Sequence, residues 1–235
     1  MSVVLFMLLV ASSSIYSYVS LYYRPSESKP PTINSFVKLP PPQLAGSLPL
    51  EEALAKRRSI REYTDQPLTL GQLSQLLWAG QGVTEPRYGF RTAPSAGGTY
   101  PLEIYIVIAQ DGLVGLASGV YHYNPRDHAL ALMFTGDFRK KLSVAAVDQK
   151  WVAEARIDIV ISAVFERTTA TYGDRGVRYV YMEAGHAGQN INLQATALGL
   201  GTVVIGAFGD EEVQRVLRSP SNHKPLYILP VGYPR

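Results

Sequence analysis

Three arginines and a serine fall within five residues of one another in "RRSIR", as Arg57, Arg58, Ser59 and Arg61. So dense a set of donors suits a dianionic phosphate, because each charge-assisted hydrogen bond is worth roughly 1.5–3 kcal/mol. The competing reading, which charge alone favours, is a solvated basic turn that pairs with Glu62 or Asp65. A second segment, "APSAGGTYPLEIYIV" at 93–107, joins a loop of small residues to a run of alternating β-formers. The backbone of Ser95-Ala96-Gly97-Gly98 is unusually bare for a segment that leads straight into a strand.

Other candidates carry less. The glycines of "GLGTVVIG" (199–206) follow a helix and precede a strand, the reverse of the order a dinucleotide fingerprint needs, so Gly199 or Gly201 reads as a helix C-cap. His122, His128, His186 and His223 show no metal-ligand spacing with carboxylates, which leaves no metal site to propose. Glu183, His186 and Asn190 share a helix face and read as a packing network whose polar groups satisfy one another. Neither a G-x-S-x-G elbow nor an ordered Ser-His-Asp set is present. The chain has no cysteine, so thiol nucleophiles, thiolate metal sites and disulfides are excluded, and redox chemistry requires a bound cofactor. Twenty-two Lys and Arg against nineteen Asp and Glu give a net charge of +3, dispersed except at 56–61, and no aromatic-basic stripe supports nucleic-acid binding.

The elements that must position these residues follow from pattern. In "SLPLEEALAKRRS", Ser47 is the expected N-cap, and acidic Glu51 and Glu52 precede basic Lys56 to Arg58, which predicts a helix that delivers the arginines at its C-terminal end. "TLGQLSQLLWAGQG" opens at Thr69 and carries Leu70, Leu73, Leu76 and Leu77 on one face, a second helix. Strand-like runs occupy 102–109, 119–123, 129–134 and 157–164. In 176–201, Val180, Ala184, Ala187, Ile191, Ala195 and Leu198 recur at steps of three and four, which predicts a long helix at the centre of the fold or at a subunit seam. "TVVIGAF" then reads as a short buried strand, "DEEVQRVL" as a helix and "PLYILPVG" as a last strand. The pattern lacks a regular βαβ rhythm and predicts an α+β fold, with helices packed on one mostly antiparallel sheet.

Upstream, residues 2–23 contain no charged side chain and are long enough to cross a bilayer. Lys or Arg near the start and an A-x-A-like cleavage site are both lacking, which favours an uncleaved membrane anchor over a signal peptide. Arg24, Lys29 and Lys38 follow the run and place the next domain in the cytoplasm; the alternative is a soluble cytoplasmic protein with an unstructured start. Residues 24–49 hold seven of the sixteen prolines and read as an extended spacer, which gives an anchor at 1–23, a Pro-rich linker at 24–48 and a globular domain at 49–235.

Five blocks in order, "RRSIREYTDQPLTLGQLSQLLWAGQGV", "RTAPSAGGTYPLEIYIV", "GVYHYNPRDHAL", "EAGHAGQNINLQATALGLG" and "VIGAF", resemble the nitroreductase-like FMN flavoproteins, particularly the SagB-type dehydrogenase branch. The resemblance runs from about Leu39 to Tyr233. It implies a nitroreductase-like α+β fold and a homodimer with FMN at the subunit interface. Arg57, Arg58, Ser59 and Arg61 would hold the phosphate and ribityl chain. Pro94, Ser95, Ala96 and Gly97 would line the isoalloxazine, and Ile205, Gly206 and Ala207 would present backbone near its N5 edge. The implied reaction is hydride transfer through flavin N5 between a donor such as NAD(P)H and a small-molecule or peptide substrate, in a pocket shaped by loops 81–92 and 165–176. Members that oxidise azoline heterocycles carry a Lys-Tyr pair before the long helix; this chain has Thr171-Tyr172, which leaves Tyr172 as a candidate proton donor. The alternative is a non-catalytic flavin-fold scaffold of a peptide-modifying assembly. Typical members also carry a basic arm after the final strand, and this sequence ends at Arg235, so more of the phosphate charge falls to Arg57, Arg58 and Arg61.

Overall fold

The computed structural model describes residues 36–235. Seven strands form one sheet in the order β1 (Phe36–Lys38), β6 (Ala129–Thr135), β5 (Gly119–Asn124), β4 (Leu102–Ile108), β7 (Ile157–Ala163), β9 (Lys224–Gly232), β8 (Gly201–Thr202). Every neighbouring pair is antiparallel, as expected for strands that alternate with helices without a βαβ rhythm. A separate hairpin, β2 (Val83–Glu85) and β3 (Phe90–Arg91), precedes the small-residue loop.

Helices cover both faces of the sheet. On one face α2 (Leu70–Gln81) and α6 (Arg175–Ala197) bury Leu73, Leu76, Leu77, Val180, Ala184, Ala187 and Ile191 against Ile104, Ile106, Ile159 and Ile161. On the other, α3 (Arg139–Ala145), α4 (Lys150–Glu154) and α7 (Asp210–Leu217) pack Leu142, Val152, Val213 and Leu217 on Tyr105, Val107, Val160 and Ile228. Odd and even residues of β4 and β7 therefore serve separate cores, so the central strands read as continuous apolar runs. Two further helices, α1 (Leu50–Lys56) and α5 (Glu166–Tyr172), carry the residues singled out for chemistry.

The predicted elements form with local differences. Thr69 closes a capping box with Gln72 and Gly82 ends α2, as its sequence predicts. The N-cap of α1 is Pro49 rather than Ser47, with φ fixed near the helical value and no side-chain cap. The strand expected over "TVVIGAF" shrinks to Gly201–Thr202 and one bridge between Ile205 and Ile228, because the chain leaves the sheet edge after Thr202. The Pro-rich spacer is shorter than its composition predicts: Phe36–Lys38 pairs with Ala129–Ala131, and Ser74 donates to the Pro40 carbonyl at 2.6 Å, so the segment from Phe36 belongs to the domain. The expected anchor at 2–23 lies outside the described residues. Among the described residues no helix is long and apolar enough to cross a membrane.

Candidate functional site

The basic cluster is built where α1 runs into the sheet edge. Ala53 buries α1 against the C-terminal end of α6, where Leu193 and Ala197 share a groove with Leu50. The chain turns extended at Arg57, Ser59 bridges Thr202 of β8, and the Ile60 amide donates to the Thr202 carbonyl at 3.0 Å. Gly201 has no side chain because Ile60 fills the space: a Cβ there would sit 2.6 Å from the Ile60 Cγ2. This seat leaves Arg58, Ser59 and Arg61 exposed and Arg57 half-buried.

Pairing with Glu62 or Asp65 does not occur. Asp65 takes Arg156 at 3.2 Å, and no ion pair involving Arg57, Arg58 or Arg61 exists among the described residues. Arg58 donates to the Ala55 and Arg57 carbonyls at 3.0 and 2.7 Å, which answers orphan acceptors at the helix end, and Arg61 lies 5.4 Å over the Trp151 ring. Arg57, Arg58 and Arg61 thus have no carboxylate partner among the described residues, and guanidinium donors of this kind suit a phosphate. Along the same edge, Ile205 is buried through reciprocal backbone bonds with Ile228 at 2.9 and 3.0 Å, whereas Gly206 and Ala207 are exposed. A Cβ at Gly206 would meet only the edge of Tyr227 at 4.0 Å, so the protein's own packing does not require glycine there.

The small-residue loop lies elsewhere. Ala93 is buried, Pro94 is exposed, and Ala96–Gly98 make one tight turn in which Gly97 and Gly98 have φ of 60° and 64°. Both angles are in the region that favours glycine. The Tyr100 amide donates to the Ser95 hydroxyl at 2.9 Å, Thr99 and Thr168 share a hydrogen bond at 2.8 Å, and Arg167 of α5 donates to the Tyr100 carbonyl at 3.1 Å. A side chain at Gly97 would lie 2.6 Å from the Tyr172 hydroxyl, so the bareness of this position is explained by a tyrosine of the same chain as well as by its φ. Tyr172 and the loop therefore meet within one chain.

The loop and the basic cluster do not. Thr202 is level with Val231, Ile157 and Ile108 across the sheet, whereas the loop enters β4 at Leu102, six residues along the strand, or roughly 20 Å at about 3.3 Å per residue. Along α6 the separation is similar: the Ser95 hydroxyl lies beside Glu183 and α1 packs at Ala197, fourteen residues or about 21 Å away.

The sequence reading of Glu183, His186 and Asn190 as a mutually satisfied network is corrected. His186 is exposed, Asn190 donates to the Thr92 carbonyl at 3.4 Å, and Glu183 is 3% exposed with no hydrogen-bond partner for its Oε1. Burial pushes the Glu183 carboxyl up to about 7, against the pull of the Ser95 hydroxyl, the Arg91 guanidinium and the Gln81 amide. The signal for Glu183 was in the sequence: an acid three residues after Val180 and next to Ala184 sits in the apolar stripe itself. Arg91 and Gln81 carried no such signal. A cavity of about 730 Å³ lies elsewhere, between Trp78, Tyr88 and Pro125, and holds none of the candidate residues. Among the described residues no group of three His, Asp or Glu is placed to hold a metal ion.

Comparison with known proteins adds the family. The nitroreductase family model matches residues 54–233. The chain is 50% identical over 183 residues to "Putative nitroreductase MJ1384" of Methanocaldococcus jannaschii, covering 78% of this chain and 90% of that one. It is 27% identical to the FMN reductase [NAD(P)H] of Bacillus subtilis, with 78% and 65% covered, and 27% identical to the microcin B17-processing protein McbC of Escherichia coli, with 64% of this chain and 56% of McbC covered. Among solved structures, "a putative nitroreductase" from Ralstonia eutropha superposes with a TM-score of 0.74 at 30% identity, covering 85% of this chain and 90% of that chain.

Proposed function

The chain belongs to the nitroreductase family, an oxidoreductase family with relatives in the microcin-processing branch, and on that premise we propose that it is an FMN-dependent oxidoreductase working as a homodimer. The observation that carries this reading is the cluster Arg57, Arg58, Ser59 and Arg61, whose arginines have no ion-pair partner among the described residues and which is set on the same sheet edge as the exposed residues Gly206 and Ala207. The distance between that cluster and the loop Pro94–Gly97 supports a site shared by two chains.

Arg57, Arg58 and Arg61 would bind the FMN phosphate as charge donors, and the Ser59 hydroxyl would fix its orientation. Ile205, held by its two bonds to Ile228, would keep the Gly206 and Ala207 backbone in place against one edge of the isoalloxazine. Pro94, Ser95, Ala96 and Gly97 of the other chain would close the opposite side and exclude water. Bound FMN supplies hydride exchange at N5, with NAD(P)H the donor that the FMN reductase relative's name suggests. Tyr172, with its hydroxyl over Gly97, would hold a proton on Oη within reach of a small-molecule or peptide substrate seated on the ring.

Thr171, where azoline-oxidising members carry lysine, favours a second reading in which the chain binds FMN as a scaffold of a peptide-modifying assembly without turnover. One experiment separates the two. The purified protein, supplied with FMN, is expected to turn yellow at one flavin per chain and to be bleached anaerobically by NADH or NADPH, with electrons passed on to a quinone. Stoichiometric FMN with no bleaching, no transfer and no peptide dehydrogenation selects the scaffold, and no FMN uptake defeats both.

A further inference from the structure

Gly206, Ala207 and Phe208 run between two fixed points: the paired bonds of Ile205 with Ile228, and the Gly209 amide, which donates to the Ala145 carbonyl at 2.9 Å. Among the described residues one hydrogen bond holds the backbone of those three, from the Gln149 Nε2 to the Ala207 carbonyl at 2.9 Å. The same Nε2 donates to the Ala146 carbonyl at 2.9 Å, so two carbonyls use both of its hydrogens and fix which way the amide faces. Gln149 is itself held from behind, its carbonyl accepting from the Ser143 hydroxyl at 2.9 Å and from the Val152 amide at 3.1 Å. The turn that delivers it is strained. After α3, Val147 and Asp148 stand at φ of 57° and 56°, and a β-branched residue in the left-handed region is an outlier that its surroundings must hold. The Val147 side chain is 69% exposed, so its own packing does not offset that cost. What the reversal achieves is the placement of the residues after it: Gln149 reaches Ala207, and Trp151 lies under Arg61, whose guanidinium is 5.4 Å from the ring centroid.

We infer that Gln149 is a positioning residue that pins the Gly206–Ala207 span through the Ala207 carbonyl. The pinning stands on the geometry of the chain alone; its consequence for the flavin rests on the functional reading above, in which that span lies against the isoalloxazine edge. Once its one bond is lost, the span spreads over several backbone arrangements, and a ring that binds there has to order it again. The ring edge and the phosphate are met by different segments, so a loss at Gln149 weakens FMN and riboflavin alike. A carboxylate in place of the amide keeps the length of the side chain but has no hydrogen to donate, and both bonds become contacts between acceptors.

The test compares the full chain with its Gln149→Glu and Gln149→Met variants. In the ligand-free protein, the backbone NMR order parameters of Gly206 and Ala207 are expected near the rigid value of about 0.85 in wild type and below about 0.6 in both variants, with Ile205 and Gly209 unchanged. Titrated with FMN and with riboflavin, both variants are expected to bind each flavin roughly fivefold more weakly, the factor that one net hydrogen bond is worth. At saturation the visible band of the bound flavin is expected to change shape, which a loss of global stability alone does not produce. Equal order parameters in wild type and variants overturn the inference. A loss confined to FMN would place the effect at the phosphate and overturn the consequence for the ring. If neither variant folds, the wild type decides alone: values below about 0.6 at Gly206 and Ala207 show that nothing pins the span. A span that loosens in the variants of a protein that binds neither flavin keeps the inference and defeats the cofactor reading.

Discussion

The Tyr172 hydroxyl occupies the space a side chain at Gly97 would need, 2.6 Å from the ideal Cβ position, and the Gly97 φ of 60° disfavours any side chain there on its own account. Gly97→Ala therefore meets two separate costs, about 1 kcal/mol for the left-handed backbone and a steric term against the phenol. The steric term falls on the end of a flexible side chain, so Tyr172 swings away rather than the loop collapsing. Thermal unfolding of Gly97→Ala, Tyr172→Phe and the double variant separates the two: Tyr172→Phe should recover the steric part and leave the backbone part. Strict additivity of the single changes would show that the two residues do not touch.

Arg58 and Arg61 have no carboxylate partner among the described residues, so their removal should cost the fold little and a bound phosphate much. Arg58→Ala and Arg61→Ala are each expected to weaken FMN binding by roughly tenfold or more, the worth of one charge-assisted bond. Their thermal unfolding without ligand should stay within about 0.5 kcal/mol of wild type. Riboflavin, which lacks the phosphate, provides the control in a fluorescence titration. An equal loss for riboflavin and FMN would place the arginines away from the phosphate.

The parts of this site legible in the sequence are those set by local chemistry. Glu51 and Glu52 before Lys56 announce α1, Thr69 and Gln72 announce the start of α2, and the alternation after Tyr100 announces β4. Gly97 was visible as bare, but its reason was not, because Tyr172 lies seventy-five residues on and meets it only through α5, a seven-residue helix whose "ERTTATY" has no apolar stripe. Glu183 was visible as an acid in an apolar face; that it faces Ser95 rather than His186 depends on how α2, β3 and α6 pack. The short edge strands β1 and β8 are fixed by register with long neighbours, not by their own two or three residues.

Asp158 sits in β7 fully buried, with neither carboxyl oxygen hydrogen-bonded, and burial raises its carboxyl well above the ordinary 3.8, with Arg139 pulling the other way. A carboxyl that must stay protonated in the fold contributes stability below its unfolded value, and that contribution is lost as pH rises. Asp158→Asn keeps the shape and removes the titration. Its melting temperature is expected to gain on wild type steadily from pH 5 to pH 8. Parallel curves across that range would mean that Asp158 does not change its protonation between the folded and unfolded states.

Glu103 behaves in the opposite sense. Burial pushes its carboxyl up, but His122 at 2.6 Å and Arg167 at 2.5 Å outweigh that and hold it at about 2. Its stabilisation is present above the ordinary 4.5 and is lost as pH falls towards 2. Glu103→Gln should therefore cost about 2 kcal/mol at pH 7 and progressively less in acid, read from denaturant unfolding at each pH. A cost that does not change with pH would assign Glu103 to packing alone.

The separation of the basic cluster from the small-residue loop within one chain makes the shared site directly testable. Chains carrying Arg58→Ala with Arg61→Ala keep an intact loop; chains carrying Gly97→Ala keep an intact cluster. In a mixed dimer, a site built from two chains has one interface with both parts intact and one with neither, whereas a site built from one chain is damaged on both sides. Unfolding and refolding equal amounts together gives about half mixed dimers, so about a quarter of the wild-type tight FMN sites should reappear. Fluorescence titration counts those sites, and each variant refolded alone gives the baseline. A mixture that binds no more FMN than the average of its parents overturns the site shared by two chains.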